Sequence, residues 1–275
     1  MRDLSIYIHI PFCVRKCLYC DFLSFALPET SRELSDGFGK TRTEELVKCY
    51  VNLLEREIQS EAKKYRGHQV ISVFFGGGTP SLLLPGDIDK LMGALRRSYQ
   101  ITSDAEITIE ANPGTVTGDK LKEYITTGIN RLSIGLQSAD DEELSRIGRI
   151  HDYQDFQETY MLAREAGFRN INIDLMSALP GQSVDSYMET LRKAVQFNPE
   201  HISAYSLILE EGTPLYERQE EYCFPTEEED REMYLRTESC LSSCGYHRYE
   251  ISNYALEGYE CRHNKVYWQR GDYAG

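Results

Sequence analysis

Long apolar runs are absent from this 275-residue chain, and no stretch approaches the ~18 residues that a membrane-spanning helix needs, so stable membrane insertion is not expected. The opening residues pass from Met1 into LSIYIHI without the basic start, apolar core and small-residue cleavage site of a secretory signal, and a cytoplasmic protein is expected. Basic charge is also scarce. Lys and Arg number 30 against 44 Asp and Glu, a net charge of −14, and no basic run relieves it. Such a surface repels a phosphate backbone, so nucleic acid is not an expected partner. A disulfide framework is equally out of place, because a reducing compartment keeps the 8 cysteines as thiols. Clustered thiols then point to metal. The remaining composition, 41% hydrophobic and 27% charged, is that of a folded globular protein and excludes a disordered chain. Its length suits one large α/β domain, or one domain with a small appendage.

Short β-branched runs alternate with longer helical patterns. Strands are expected at 4–10, 70–75, 106–111, 130–136, 170–176 and 201–208, and helices near 43–66, 86–98, 117–127, 140–148, 153–166 and 184–197. Successive βα units imply a parallel sheet, here a partial (β/α)6 TIM-like barrel. The strands also alternate strictly. Leu4, Ile6, Ile8 and Ile10 oppose Ser5, Tyr7 and His9, while Ile107 and Ile109 oppose Thr108 and Glu110. Leu132, Ile134 and Leu136 likewise oppose Ser133, Gly135 and Gln137, and Ile171, Ile173 and Leu175 oppose Asn172 and Asp174. Parallel strands buried on both faces normally read as unbroken apolar runs, so one polar face in four strands predicts a polar, ligand-holding lumen. An antiparallel sheet with one wet face needs hairpins, for which the helical spacers leave no room. Residues 1–216 form the expected barrel, and 217–275 begin a C-terminal α+β extension. Within it PTEEEDREMY reads as a helix start with Thr226 as N-cap and Glu229 at N3. The polar stretch 28–43, with Pro28, Gly37 and Gly39, reads as a loop or mobile insertion.

Cys13, Cys17 and Cys20 directly follow the first strand, which places them at the C-terminal face of a barrel, where barrel enzymes keep their active sites. Three thiolates suit three irons of a 4Fe–4S cluster and leave the fourth iron open. Zinc is the alternative, but a structural zinc site closes with four ligands, and His9 serves only if strand and loop fold back together. Buried structural thiols are the third reading. Cys49, Cys223, Cys240 and Cys244 read as buried or half-buried thiols, the last two one helical turn apart and able to grip a metal together.

CVRKCLYC is C-x3-C-x2-C, and here the chain resembles the radical S-adenosylmethionine (SAM) superfamily. The resemblance implies that the open iron binds the amino and carboxylate groups of SAM, and that an electron from the cluster cleaves its sulfonium. More segments narrow the match. YIHIPFC, FFGGGTPS, ITIEANPG, NRLSIGLQS, IGRIH, INIDLMSALPGQ and AYSLILEEGTPLY stand in the order of the oxygen-independent coproporphyrinogen III oxidase family, across residues 4–216. That resemblance implies Tyr7 beside the SAM carboxylate, Tyr19 placing the adenine, and Gly77, Gly78 and Thr79 close to the methionyl group. It further implies Glu110, Gln137, Arg149 and Asp174 around the rest of SAM, and an electron donor for the cluster.

The decarboxylating branch of that family carries a fourth cysteine two positions after the third, and an N-terminal extension. Phe22 stands here instead, and the chain opens at its first strand. Both features resemble the haem-chaperone branch, which binds haem and delivers it to haem-acceptor proteins. HNKVYW (263–268) resembles the HNxxYW motif of that branch. The resemblance implies that His263 offers a nitrogen to haem iron, with Tyr267 and Trp268 covering the macrocycle and Cys261 as a further candidate ligand. Members of the branch continue into a further C-terminal domain, so the chain is expected to be truncated. The alternative activity is that of a coproporphyrinogen III dehydrogenase.

Overall fold

The computed structural model describes residues 1–27 and 38–275. In chain order it contains β1 (Arg2–Ile10), β2 (Phe12–Cys13), β3 (Phe25–Ala26), α1 (Phe38–Glu61), β4 (His68–Gly77), α2 (Pro85–Ser98), β5 (Gln100–Ala111), α3 (Gly118–Thr127) and β6 (Arg131–Gln137). There follow α4 (Asp141–Arg146), α5 (Tyr153–Ala166), β7 (Ile171–Ser177), α6 (Val184–Gln196), β8 (His201–Ser206), α7 (Pro214–Glu217) and α8 (Glu227–Ser243). The chain closes with β9 (His247–Arg248), β10 (Asn253–Ala255), α9 (Arg262–Gln269) and β11 (Asp272–Ala274). All six anticipated strands form. The expectation of a loop over 28–43 needs correction at its end, because α1 already begins at Phe38; residues 28–37 lie outside those described.

β1, β4, β5, β6, β7 and β8 lie side by side and parallel, in chain order. Serial βα crossovers produce this order, since each helix returns the chain to the same end of the sheet. The ladder stays open: β11 adds to β1, while β10 and β9 add antiparallel beside β8. The result is a partial barrel. Segment 217–275 thus contributes strands to both edges of the same sheet.

The strand alternation works as the sequence implies. Leu4, Ile6, Ile8 and Ile10 are buried, as are Ile107, Ile109, Leu132, Ile134, Ile171, Ile173 and Leu175. They meet apolar stripes of the helices, including Ile88, Leu91 and Leu95 on α2, Phe156 and Tyr160 on α5, and Tyr187 and Leu191 on α6. Each such side chain contributes about 1.5–3 kcal/mol on leaving water. Caps fix where the helices start. Asp152, Ser183 and Thr226 each accept the N3 amide in a capping box, the last with Glu229 as anticipated. With the aliphatic face spent on the helices, the polar face is left to build a site.

Among the described residues no helix is long and apolar enough to cross a membrane.

Candidate functional site

The thiol loop is braced from three directions. Phe12 pairs with Phe25 across the β2–β3 ladder, and its ring, fully buried, meets Phe25 and Tyr50 edge-on at 5.5 and 5.2 Å. Leu18 donates its amide to Ile147 O at 3.0 Å, and its carbonyl accepts from Leu215 N at 2.9 Å. The loop therefore holds its shape through the backbone. Cys13, Cys17 and Cys20 then face one pocket of about 120 Å³ at the C-terminal strand ends, together with Tyr19, Gly77, Gly78, Thr79, Glu110, Gln137, Arg149 and Asp174.

Close approach dictates the glycines. Gly77 has φ +115, and a Cβ there would stand 2.6 Å from His9 Cε1. At Gly78 a Cβ would stand 2.7 Å from Phe12 O and 3.0 Å from Cys13 Sγ. The neighbour at Gly78 is backbone and cannot swing aside. Gly78→Ala is therefore expected to push Cys13 out of place and cut iron incorporation at least several-fold; unchanged iron content after anaerobic reconstitution would refute this.

Donors converge on the sulfurs. Arg149 Nη1 stands 3.7 Å from Cys17 Sγ, and Thr79 Oγ1 stands 3.7 Å from Cys13 Sγ. Arg149 Nη2 also donates to Gly135 O and Asn112 Oδ1, both at 2.7 Å, and Asn112 Nδ2 donates to Thr79 Oγ1 at 2.8 Å. Asn112 thus locks both sulfur donors. It stands within the ITIEANPG segment but bears no signal of its own, because its role needs Thr79 and Arg149, partners from two other loops. Burial pushes the Cys20 thiol up, so ligand binding there must repay its deprotonation.

Two carboxylates line the same pocket. Glu110 accepts from Gly77 N at 3.1 Å, and burial, with Asp174 beside it, pushes its carboxyl up to about 8. Asp174 accepts from Asn172 Nδ2 at 2.8 Å and Ser133 Oγ at 3.0 Å, and burial raises it too. A fixed pair of acceptors, in which Glu110 resists ionising beside the charge of Asp174, suits a cationic ligand. Gln137 reaches the pocket through a register shift at the end of β6, where its own φ is +70. Beyond this pocket a second cavity of about 400 Å³ shares Tyr19, Cys20, Phe22, Glu110, Gln137 and Asp174, and extends to Met176, Tyr205, Leu207 and Ile208.

Two of the expected residues stand apart. Tyr7 lies on the lumen face but off the pocket, with its hydroxyl 3.1 Å from His9 Nδ1 and its ring stacked on Phe74. His9 Nε2 is 2.7 Å from Leu23 O, so both its nitrogens are engaged and it is no fourth ligand. His263 is 2% exposed, with Nδ1 at 3.1 Å from Ser72 Oγ and Nε2 at 2.9 Å from Tyr267 Oη. Burial lowers its imidazole to about 4. It meets β4 at Ser72, five positions and about 16 Å down the strand from Gly77. Tyr267 and Trp268 are 44% and 58% exposed. Cys261 is fully buried, its thiol 3.3 Å from Glu106 Oε1 and pushed up to about 12 by burial.

Of the other thiols only Cys240 is half-buried; Cys49, Cys223 and Cys244 are exposed, against the expectation of buried or half-buried sites. Cys49 lies on α1 and Cys240 on α8, with Cys244 at the C-terminal cap of α8, and cysteine content alone does not reveal which face each takes. Among the described residues no three of His, Cys, Asp and Glu converge as one metal ion requires. Three sulfurs spread around a pocket, with Arg149 and Thr79 donating toward them, fit a larger polynuclear group.

A thiol loop at the C-terminal ends of a six-stranded parallel half-barrel defines a Radical SAM domain. The Radical SAM superfamily profile matches residues 7–194, and membership implies a 4Fe–4S cluster and SAM. The chain is 40% identical over 275 residues to Heme chaperone HemW of Escherichia coli, covering 100% of this chain and 68% of that protein. It is 37% identical over 274 residues to Heme chaperone HemW of Bacillus subtilis, covering 98% of this chain and 68% of that one. In structure it is similar to coproporphyrinogen III oxidase (HemN) of Escherichia coli, a Radical SAM enzyme, with a TM-score of 0.79 and 29% identity over 94% of this chain and 57% of that one. The chain belongs to the HemW heme chaperone family.

Proposed function

We propose that Cys13, Cys17 and Cys20 hold a 4Fe–4S cluster, that SAM occupies the pocket beside it, and that the protein binds haem and delivers it to acceptor proteins. The gathering of three thiols with polar residues from β4, β5, β6 and β7 into one pocket carries this reading. When bound, the cluster supplies an electron to the SAM sulfonium and leaves one iron open for its amino and carboxylate groups. The chain's own residues do the rest. Arg149 and Thr79 donate toward cluster sulfur, Gly77 and Gly78 let backbone approach the ligand, and Glu110 and Asp174 accept from its cationic end. Gln137 and Tyr19 line the remaining wall, and Tyr7 supports the pocket through His9.

For haem, the exposed Tyr267 and Trp268 offer the contact surface, and iron ligation by His263 requires release from Ser72 and Tyr267. An electron donor serves the cluster. The second reading, coproporphyrinogen III dehydrogenase, draws on the likeness to HemN, but exposed Phe22 stands where that branch has its fourth cysteine.

Anaerobic reconstitution followed by optical titration with SAM, then haem, then a haem-free acceptor protein tests the proposal. Binding of both ligands and transfer of haem are expected. Multiple-turnover decarboxylation of coproporphyrinogen III with SAM and a reductant would instead establish the dehydrogenase.

A further inference from the structure

The polar face of the sheet carries an ordered line of hydrogen bonds from the C-terminal segment to the pocket. Asn264 Nδ2 lies 3.5 Å from Tyr249 Oη, Tyr249 Oη lies 2.8 Å from His201 Nε2, and His201 Nδ1 lies 2.6 Å from Asn172 Oδ1. Asn172 Nδ2 then donates to Asp174 Oδ1 at 2.8 Å and to Ser133 Oγ at 2.7 Å. The direction of the whole line follows from its last member. An ionised carboxylate only accepts, so the amide nitrogen of Asn172 must face Asp174 and its oxygen must face His201. That oxygen accepts from Ser203 Oγ at 3.1 Å and also stands 2.6 Å from His201 Nδ1, too close for two acceptors, so His201 carries its proton on Nδ1. Nε2 is left as an acceptor, and the Tyr249 hydroxyl must donate to it. Asn264 donates to the Tyr249 oxygen in turn. Every dipole points at Asp174, and aligned chains of this kind reinforce one another in a low-dielectric interior.

His201 is fully buried, and burial together with the nearby charge of Arg131 keeps its imidazole well below its usual range. It therefore stays neutral and cannot reverse the line by picking up a second proton. Tyr249 belongs to the segment before β10, and Asn264 to the first turn of α9, so both lie far in sequence from every pocket residue.

We infer that Tyr249 and Asn264 are positioning residues for the Asp174 carboxylate, acting through His201 and Asn172 to favour its ionised, pocket-facing form. The inference rests on the reading that SAM binds beside Asp174, and gives the asparagine of HNKVYW a role at that pocket. The charged and titratable groups facing the line are Glu110 on β5, Arg131 on β6, Tyr205 on β8, and Cys261 ahead of α9.

Tyr249→Phe in the reconstituted protein tests this, with Asn264→Ala as the milder variant should the first fold poorly. Tyr249→Phe is expected to weaken SAM binding roughly 3- to 10-fold near neutral pH, the worth of one hydrogen bond passed on to a charged acceptor. The loss should come with a shift: the acidic limb of the affinity profile moves to higher pH, because the Asp174 carboxylate has lost support for its charge. Nitrogen NMR of labelled histidine in the cluster-free protein gives a second readout, with His201 as the Nδ1–H tautomer in the parent chain and a mixture in the variant. A uniform loss of affinity at all pH values, no loss at all, or an Nε2–H tautomer in the parent would overturn the inference. Asp174→Asn separates the two layers. If it leaves SAM affinity intact, the SAM reading at Asp174 fails; if it weakens SAM while Tyr249→Phe moves neither the profile nor the tautomer, only the relay fails.

Discussion

Cys17→Ser, reconstituted anaerobically with iron and sulfide, is expected to keep its fold and lose its iron, from about four irons per chain to below about one. Serine is close to cysteine in size, and Cys17 is half-buried on a loop held by backbone bonds at Leu18 and Cys20 and by the Phe12 aromatic contacts, so nothing in the packing demands sulfur. An alcohol, however, is a far poorer iron ligand than a thiolate. With the ligand gone, Arg149 faces a neutral oxygen, and two thiolates remain where three irons need them. Iron and sulfide assays with visible absorption read the loss, and far-ultraviolet circular dichroism checks the fold. Cys49→Ser and Cys244→Ser, both on exposed positions, are expected to retain full iron. Full iron in Cys17→Ser, or one tightly held zinc and no iron chromophore in the parent chain, would defeat the cluster assignment.

Glu110→Gln should move two quantities in opposite directions, stabilising the ligand-free protein above neutral pH while weakening SAM binding. The Glu110 carboxyl is held at about 8 in the fold against an ordinary 4.5. Burial is the chief cause, and the charge of Asp174 adds to it. Below about pH 4.5 the proton is bound in both folded and unfolded chains, and the group costs nothing. As pH rises, the unfolded chain releases this proton while the folded chain retains it, so stability declines until about pH 8 and then stays level. The shift corresponds to roughly 3–5 kcal/mol at its full extent. Glutamine removes the ionisation and with it most of this loss. Urea melts are expected to show little difference near pH 5 and a gap of a few kcal/mol at pH 8 to 9, provided the amide finds the Gly77 donor. A cationic ligand lacks its charged acceptor in the variant, and SAM affinity should fall roughly 10- to 100-fold. In the parent, SAM binding at pH 7 should release close to one proton, visible as a buffer-dependent binding enthalpy that disappears in Glu110→Gln. Equal pH dependence of stability in both proteins would show that Glu110 is not held protonated.

The residues that sequence brought into view were those whose geometry is local. Strict alternation in β1, β5, β6 and β7 marks one face for the helices and one for the lumen, because a strand repeats every two residues whatever surrounds it. Glu110 and Asp174 were therefore legible as lumen groups near strand ends, and both line the pocket. Thr226 and Glu229 were equally legible, since a capping box spans only four residues.

Contacts across the sheet were not legible, because strand order and loop docking create them. Arg149 sits on no strand, yet the loop after α4 delivers it to Cys17, Gly135 and Asn112, which come from three other segments. Asn112 carries no periodic signal, and only its partners give it a role. HNKVYW shows the difference most sharply. As a string it exposes a histidine beside two aromatics; in the fold Ser72, Phe74 and Glu106 close over that histidine, while Tyr267 and Trp268 remain at the surface.

The amino-acid sequence by itself determined the order of the βα units, the polar face of each strand, the spacing of the three thiols and the likeness to a Radical SAM family, because each resides in residues near one another in the chain. Tertiary structure alone decided that Tyr7 stands off the pocket, that His9 and His263 have both nitrogens engaged, that Glu110 holds its proton to about 8, and that Asn264 lies on a line to Asp174. Those outcomes depend on which distant groups meet and how much water is excluded when they do. Burial and partner geometry exist only once the sheet has curled and the segments after β8 have returned to its two edges.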